Sequence, residues 1–152
     1  MSSQGFDYRS VSPDGRTVLI VEAKARRAMR FHDANQWRRR LMTTAPELND
    51  RPALLISPDV LYYWPPHWDP TNGAGLGTVT GPDLGPRLSR YLSATADAGA
   101  YVDPHVFEAV VGNWLEEVQA GRTGLEFMGD RGSEIEKIIR GGKLERTEHA
   151  GA

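Results

Sequence analysis

The string VLIVEAKA, Val18 to Ala25, constrains this chain more than any other: a buried-type apolar run that ends in an acid, one small residue and a lysine. Thr17 to Ala23 is β-branched and reads as a strand. Upstream, Phe6 to Val11 alternates in the manner of a second strand, and Ser12-Pro13-Asp14-Gly15 between them is a turn cluster. The two strands therefore form a hairpin. Side chains alternate faces along a strand, so Glu22 and Lys24 emerge on one face. Pairing about the Asp14-Gly15 turn places Phe6, Asp7 and Tyr8 opposite the region from Glu22 to Lys24. Asp7 can then share a cation with Glu22.

Two carboxylates on adjacent strands, with the backbone carbonyl of Ala23 beside them, form an all-oxygen set suited to Mg²⁺, with Mn²⁺ as a substitute. Mg²⁺ keeps several waters and takes one or two carboxylates together with substrate phosphate oxygens. Lys24 would orient or activate the attacking water, and the chemistry expected of such a set is hydrolysis of a phosphodiester. The bland alternative is a surface hairpin with a cross-strand salt bridge, against which the apolar neighbours of Glu22 argue.

The rest of the chain reads as one α/β domain. Phe31 to Thr44 has Trp37 and Leu41 four apart and stops before Pro46, which predicts an amphipathic helix with its arginines to one side. Ala53 to Ser57 and Val60 to Trp64 are apolar runs around Pro58-Asp59 and predict a further strand pair. Residues 1–64 are expected to be the core. Proline and glycine crowd 65–86, a long loop with room for a short strand near Gly77 to Thr80. Helices are expected at Arg87 to Ala96, at Pro104 to Ala120 and at Glu134 to Arg140, with Asp103 and Pro104 starting the second and Gly121 stopping it. Residues 141–152 are expected to be a flexible tail.

Charge is uneven. The chain of 152 residues carries a formal net charge of -2, yet nine Lys/Arg stand against four acids from Met1 to Arg40, so the remainder carries seven excess acids. Concentrated arginine is the electrostatic footprint of a phosphate-bearing partner, and Arg26, Arg27, Arg38, Arg39 and Arg40 are the expected contacts. Solubility is the alternative reading of the same residues. The absence of cysteine removes disulfides, thiolate metal sites and cysteine nucleophiles. His32, His67, His105 and His149 lack the spacing of a zinc site. The run Gly73 to Gly81 lacks the lysine of a phosphate loop, and Tyr62, Tyr63, Trp64 and Trp68 suit core packing better than base stacking. No apolar run reaches the roughly 18 residues of a membrane span, so a cytoplasmic protein is expected.

Asp7 with Glu22-Ala23-Lys24, an acid on one strand and acid-x-lysine on the next, resembles the PD-(D/E)xK nuclease superfamily. The likeness covers Phe6 to about Trp64, and the remainder resembles small standalone bacterial proteins of that type. It implies a restriction-endonuclease-like fold, a mixed central sheet flanked by helices, and a metal-dependent nuclease acting on DNA. It also implies that Gln36, on the helix after the lysine, positions substrate, and that a homodimer would serve to cut two strands. The sequence departs from the family in two places: Phe6 stands before Asp7 where proline is usual, and the helix that normally opens the fold is missing ahead of Asp7. The C-terminal helices or a second subunit would have to replace it. The alternative is a catalytically inactive nucleic-acid-binding or protein-interaction module on the same fold.

Overall fold

A computed structural model describes residues 6–26, 29–58, 60–68, 77–80 and 103–147. Its centre is a six-stranded mixed sheet of order β5-β4-β3-β2-β1-β6. The strands are β1 (Tyr8–Val11), β2 (Thr17–Ala23), β3 (Ala53–Ile56), β4 (Val60–Trp64), β5 (Gly77–Thr80) and β6 (Lys143–Arg146). Helix α1 (Phe31–Thr44) connects β2 to β3, and helices α2 (Pro104–Gln119) and α3 (Asp130–Arg140) precede β6.

The β1–β2 hairpin forms where the turn chemistry puts it. Gly15 takes a φ of 87°, and Gly15 N donates to Ser12 O across 2.9 Å. Tyr8 faces Val21 and Ser10 faces Leu19, then a bulge between Ser10 and Val11 sets Val11 against Thr17. The bulge absorbs one residue, so the pairing beyond it carries Asp7 to the level of Glu22. The parallel pair is β2 with β3, Glu22 facing Leu55 and Ala23 facing Ile56; all other pairs are antiparallel.

Two apolar layers close the sheet. Ile20, Ala53, Leu55, Tyr62 and Trp64 pack under α1 with Ala34, Trp37 and Leu41. On the other face Leu19, Val21, Leu54, Ile56 and Tyr63 pack against Phe107, Val111, Trp114 and Leu115 of α2 and Ile135 and Ile139 of α3. The C-terminal helices thus cover this second face. Tyr62, Tyr63 and Trp64 are buried because β4 is covered on both sides, and Trp68, beyond the strand, is buried in the α1-side layer.

The α2 boundaries follow their signals: Asp103 accepts from His105 N at 2.9 Å and Val106 N at 3.2 Å, and Gly121 has a φ of 77°. Two expectations need correction. Helix α3 starts at Asp130, four residues before Glu134, because Gly132 is no breaker: a Cβ there would collide with the Leu125 carbonyl, so glycine is what lets the helix dock on the preceding turn. The expected loose tail is in part a strand. Lys143–Arg146 pairs with β1, Tyr8 facing Arg146, and Thr147 N donates to Asp7 O at 2.8 Å. The helix expected at Arg87 to Ala96 lies outside the described residues, as do most of the 65–86 loop and the last five residues. No described helix is long and apolar enough to cross a membrane.

Candidate metal and phosphate site

The hairpin and the parallel pair meet at the C-terminal end of β2, where the crevice outside parallel strands commonly receives ligands. Asp7 and Glu22 stand there on the α1 side of the sheet, both about 7% exposed. Asp7 is fixed by its own surroundings: its N donates to Val21 O at 2.9 Å, and its Oδ2 accepts from Ala23 N at 2.8 Å. Glu22 projects among Ile20 and Leu55, within hydrogen-bonding reach of the Asp7 carboxyl. Lys24 closes the group with Nζ 3.1 Å from Glu22 Oε2, its own side chain 41% exposed.

The electrostatics disfavour a free negative charge on Glu22. Burial pushes the Glu22 carboxyl up to about 9, the hydrogen bond and the charge of Asp7 push in the same direction, and Lys24 opposes them. The Glu22 carboxyl therefore keeps its proton at neutral pH. A divalent cation can take that proton's place, and the pair is an all-oxygen donor set of the kind Mg²⁺ and Mn²⁺ accept. Among the described residues no three Asp, Glu or His side chains gather as a potential metal cluster. Asp7 and Glu22 would therefore leave the remaining positions to water and substrate.

The basic residues divide into two groups. Arg26 is exposed and lies 3.3 Å from Asp33 Oδ2, with Arg30 Nε 3.9 Å from the same oxygen. Gln36, Arg39 and Arg40 are exposed on α1, on the side away from the sheet. Arg27 lies outside the described residues. Arg38 corrects the expectation of a phosphate contact, because it is fully buried. Its Nη2 donates to Asn49 O and Arg51 O, each at 3.2 Å, and its guanidinium lies 5.9 Å from the centre of the Trp68 ring. Burial brings it down to about 10. Ala34, Trp37, Arg38 and Leu41 are the inward residues of α1. The helical spacing i, i+3, i+4, i+7 was the signal that singles Arg38 out from its two neighbours.

Sequence reasoning missed Phe31. It is 46% exposed, the one large hydrophobic side chain so placed among the described residues, and it opens α1 between Arg30 and His32. Its exposure could not be read from the helical pattern, because Phe31 sits on the same side of the helix as Arg38 but one turn ahead of the first buried residue, Ala34.

No family model, no curated protein and no solved structure matches this chain.

Proposed function

We propose that this protein is a metal-dependent nuclease that hydrolyses phosphodiester bonds, with DNA as its substrate, on a restriction-endonuclease-like version of the α/β sheet. The observation that carries the reading is the buried Asp7–Glu22 carboxyl pair with Lys24 beside it. Two acids and a lysine at the end of an apolar strand cost stability unless they bind something. Asp7 is held in place by its bond from Ala23 N, whereas Glu22 is buried with Lys24 as its ion-pair partner.

Asp7 and Glu22 would hold Mg²⁺ or Mn²⁺, which supplies Lewis acidity toward a phosphodiester oxygen when bound. With both carboxylates neutralised in that way, the charge of Lys24 is left uncompensated and faces the scissile phosphate. Its ammonium then orients the water and offsets the negative charge that develops on the phosphoryl oxygens. Water adds to phosphorus and gives up one proton to solvent, the P–O ester bond breaks, and the departing oxygen takes up one proton from solvent. Arg26, two residues past Lys24, is placed to hold a neighbouring phosphate along the strand.

The test is cleavage of linear, nicked and single-stranded DNA in Mg²⁺ or Mn²⁺. Lys24→Ala should lower the rate by roughly 10²–10⁴-fold while leaving salt-dependent DNA binding in place. Cleavage by Lys24→Ala at the parental rate would remove the assignment. DNA binding by the parent without cleavage would favour an inactive binding module instead.

A further inference from the structure

We propose that the outer edge of β6 is an interface for a second copy of this chain, whose own β6 pairs with it antiparallel so that Leu144 faces the partner's Leu144. The inference is independent of the nuclease reading. β6 closes the sheet beside β1, and among the described residues its far edge has no strand partner. Its inner edge fixes which peptide groups are left over. Thr147 N donates to Asp7 O at 2.8 Å, and peptide groups alternate sides along a strand, so residues 143, 145 and 147 turn theirs to β1. The N–H and C=O of Leu144 and Arg146 are therefore turned outward, two donors and two acceptors in a row.

The helices do not seal that edge. Two open clefts, of about 600 and 230 Å³, lie between α2 and β6 and share Asn113, Glu116 and Leu144 in their walls. Leu144 is half-buried against the α2–α3 core, with its remaining surface open to the clefts.

The side chains then choose the partner. Like charges directly opposite each other on paired strands repel, and unlike charges attract. A two-fold pair centred on Lys143 would oppose two lysines, one centred on Glu145 two glutamates, and one centred on Arg146 two arginines. Centred on Leu144, the pair sets each Lys143 against the partner's Glu145 and joins the two leucines, whose peptide groups already point outward. Lys143 is exposed and makes no ion pair among the described residues. Glu145 meets Arg9 at 3.0 Å with its side chain still 38% exposed, open to a second cation. Arg146 is drawn back by Glu108 Oε1 at 3.2 Å, and in this register it opposes the partner's Gly142, which has no side chain to collide with it. Charges on a short edge strand ordinarily prevent pairing. Here they oppose three self-registers and favour the fourth.

Sedimentation velocity of the full chain in EDTA, from low to high micromolar concentration, tests the interface. The parent should pass from monomer to dimer. Lys143→Glu leaves every described ion pair of the monomer intact, and should raise the dimer Kd at least tenfold with an unchanged thermal midpoint. Glu145→Lys should do the same, and mixing the two variants should restore a dimer, because both cross-strand pairs are then again of opposite sign. Leu144→Pro is a second check that does not touch Glu145 and its bond to Arg9: it removes an outward N–H that the monomer does not use, and the folded variant should not dimerise. A parent that stays monomeric throughout, or Lys143→Glu dimerising as the parent does, would overturn the interface, as would a mixture of folded charge variants that stays monomeric. Any of these results leaves metal-dependent cleavage untouched, so the two readings fail separately.

Discussion

Two ionisable side chains, Arg38 and Glu22, are buried on the same side of the sheet, and their surroundings treat them in opposite ways. Arg38 spends its charge on the fold: Nη2 ties Asn49 O and Arg51 O, the loop between α1 and β3, to the helix, and Trp68 covers its plane. Glu22 does the reverse. Lys24 Nζ lies 3.1 Å from its Oε2, yet the carboxyl is pushed up to about 9, first by burial and then by Asp7. Burial of a charge by itself therefore marks nothing. The distinguishing mark is an ionisable group that burial and an acidic neighbour together hold away from its charged form.

The largest expected effect that separates the two ends is on cleavage. Glu22→Gln should lower the metal-dependent rate at least a hundredfold, whereas Arg38→Met should leave the activity of the folded fraction within a few-fold of the parent. A comparable loss in both variants, measured at a temperature where both are folded, would erase the distinction.

Stability should move the other way. Arg38→Met leaves two carbonyl groups without their donor and should cost about 3 kcal/mol in urea unfolding. Glu22→Gln keeps the shape and removes the ionisation cost, so at pH 8 in EDTA it should be as stable as the parent or more so by about 1 kcal/mol. Loss of stability in the glutamine variant at that pH would show that Glu22 serves the fold.

A smaller signal is the pH slope. Glu22 is held protonated in the folded chain up to about 9, while in the unfolded chain it ionises near its ordinary value. The unfolded state therefore releases its proton first as pH rises. Stability from this group is fully present below about pH 4.5 and is lost progressively toward pH 9, by an amount on the order of a few kcal/mol. The parent in EDTA should show that decline in urea midpoint, and Glu22→Gln should flatten it.

The smallest effect belongs to the opposite face. Tyr8 Oη donates to Glu108 O at 2.9 Å, and Gly112 lies against the same hydroxyl. Tyr8→Phe should cost about 1 kcal/mol and leave metal binding unchanged, although residue 8 adjoins Asp7. A change in metal affinity there would mean that the hairpin site is not rigid.

How much of this was legible in the sequence depends on which physical signal carried it. The hairpin, the α1 limits and the 53–64 strand pair follow from period-2 runs, a Gly15 turn and the stop before Pro46, all local in the chain. The acidic pair was also legible, because antiparallel pairing fixes which residues face each other even when a bulge slips the count by one. Strand β6 was not: Lys143–Arg146 is a charged edge whose pairing depends on β1, more than 130 residues away. Helix α3 hid behind Gly132, whose role appears only when the Leu125 carbonyl is in place. Arg38 hid in a run of three arginines, and Phe31 in a helix whose first turn extends past its own core.

The most direct test of the metal site is an electron paramagnetic resonance titration of Mn²⁺ into the protein at pH 8, without nucleic acid. The expected result is one Mn²⁺ removed from the free-ion signal per chain for the parent, with affinity falling at least tenfold in Asp7→Asn and in Glu22→Gln. A parent that leaves the free-ion signal untouched, or variants that bind as tightly as the parent, would contradict a cation shared between Asp7 and Glu22.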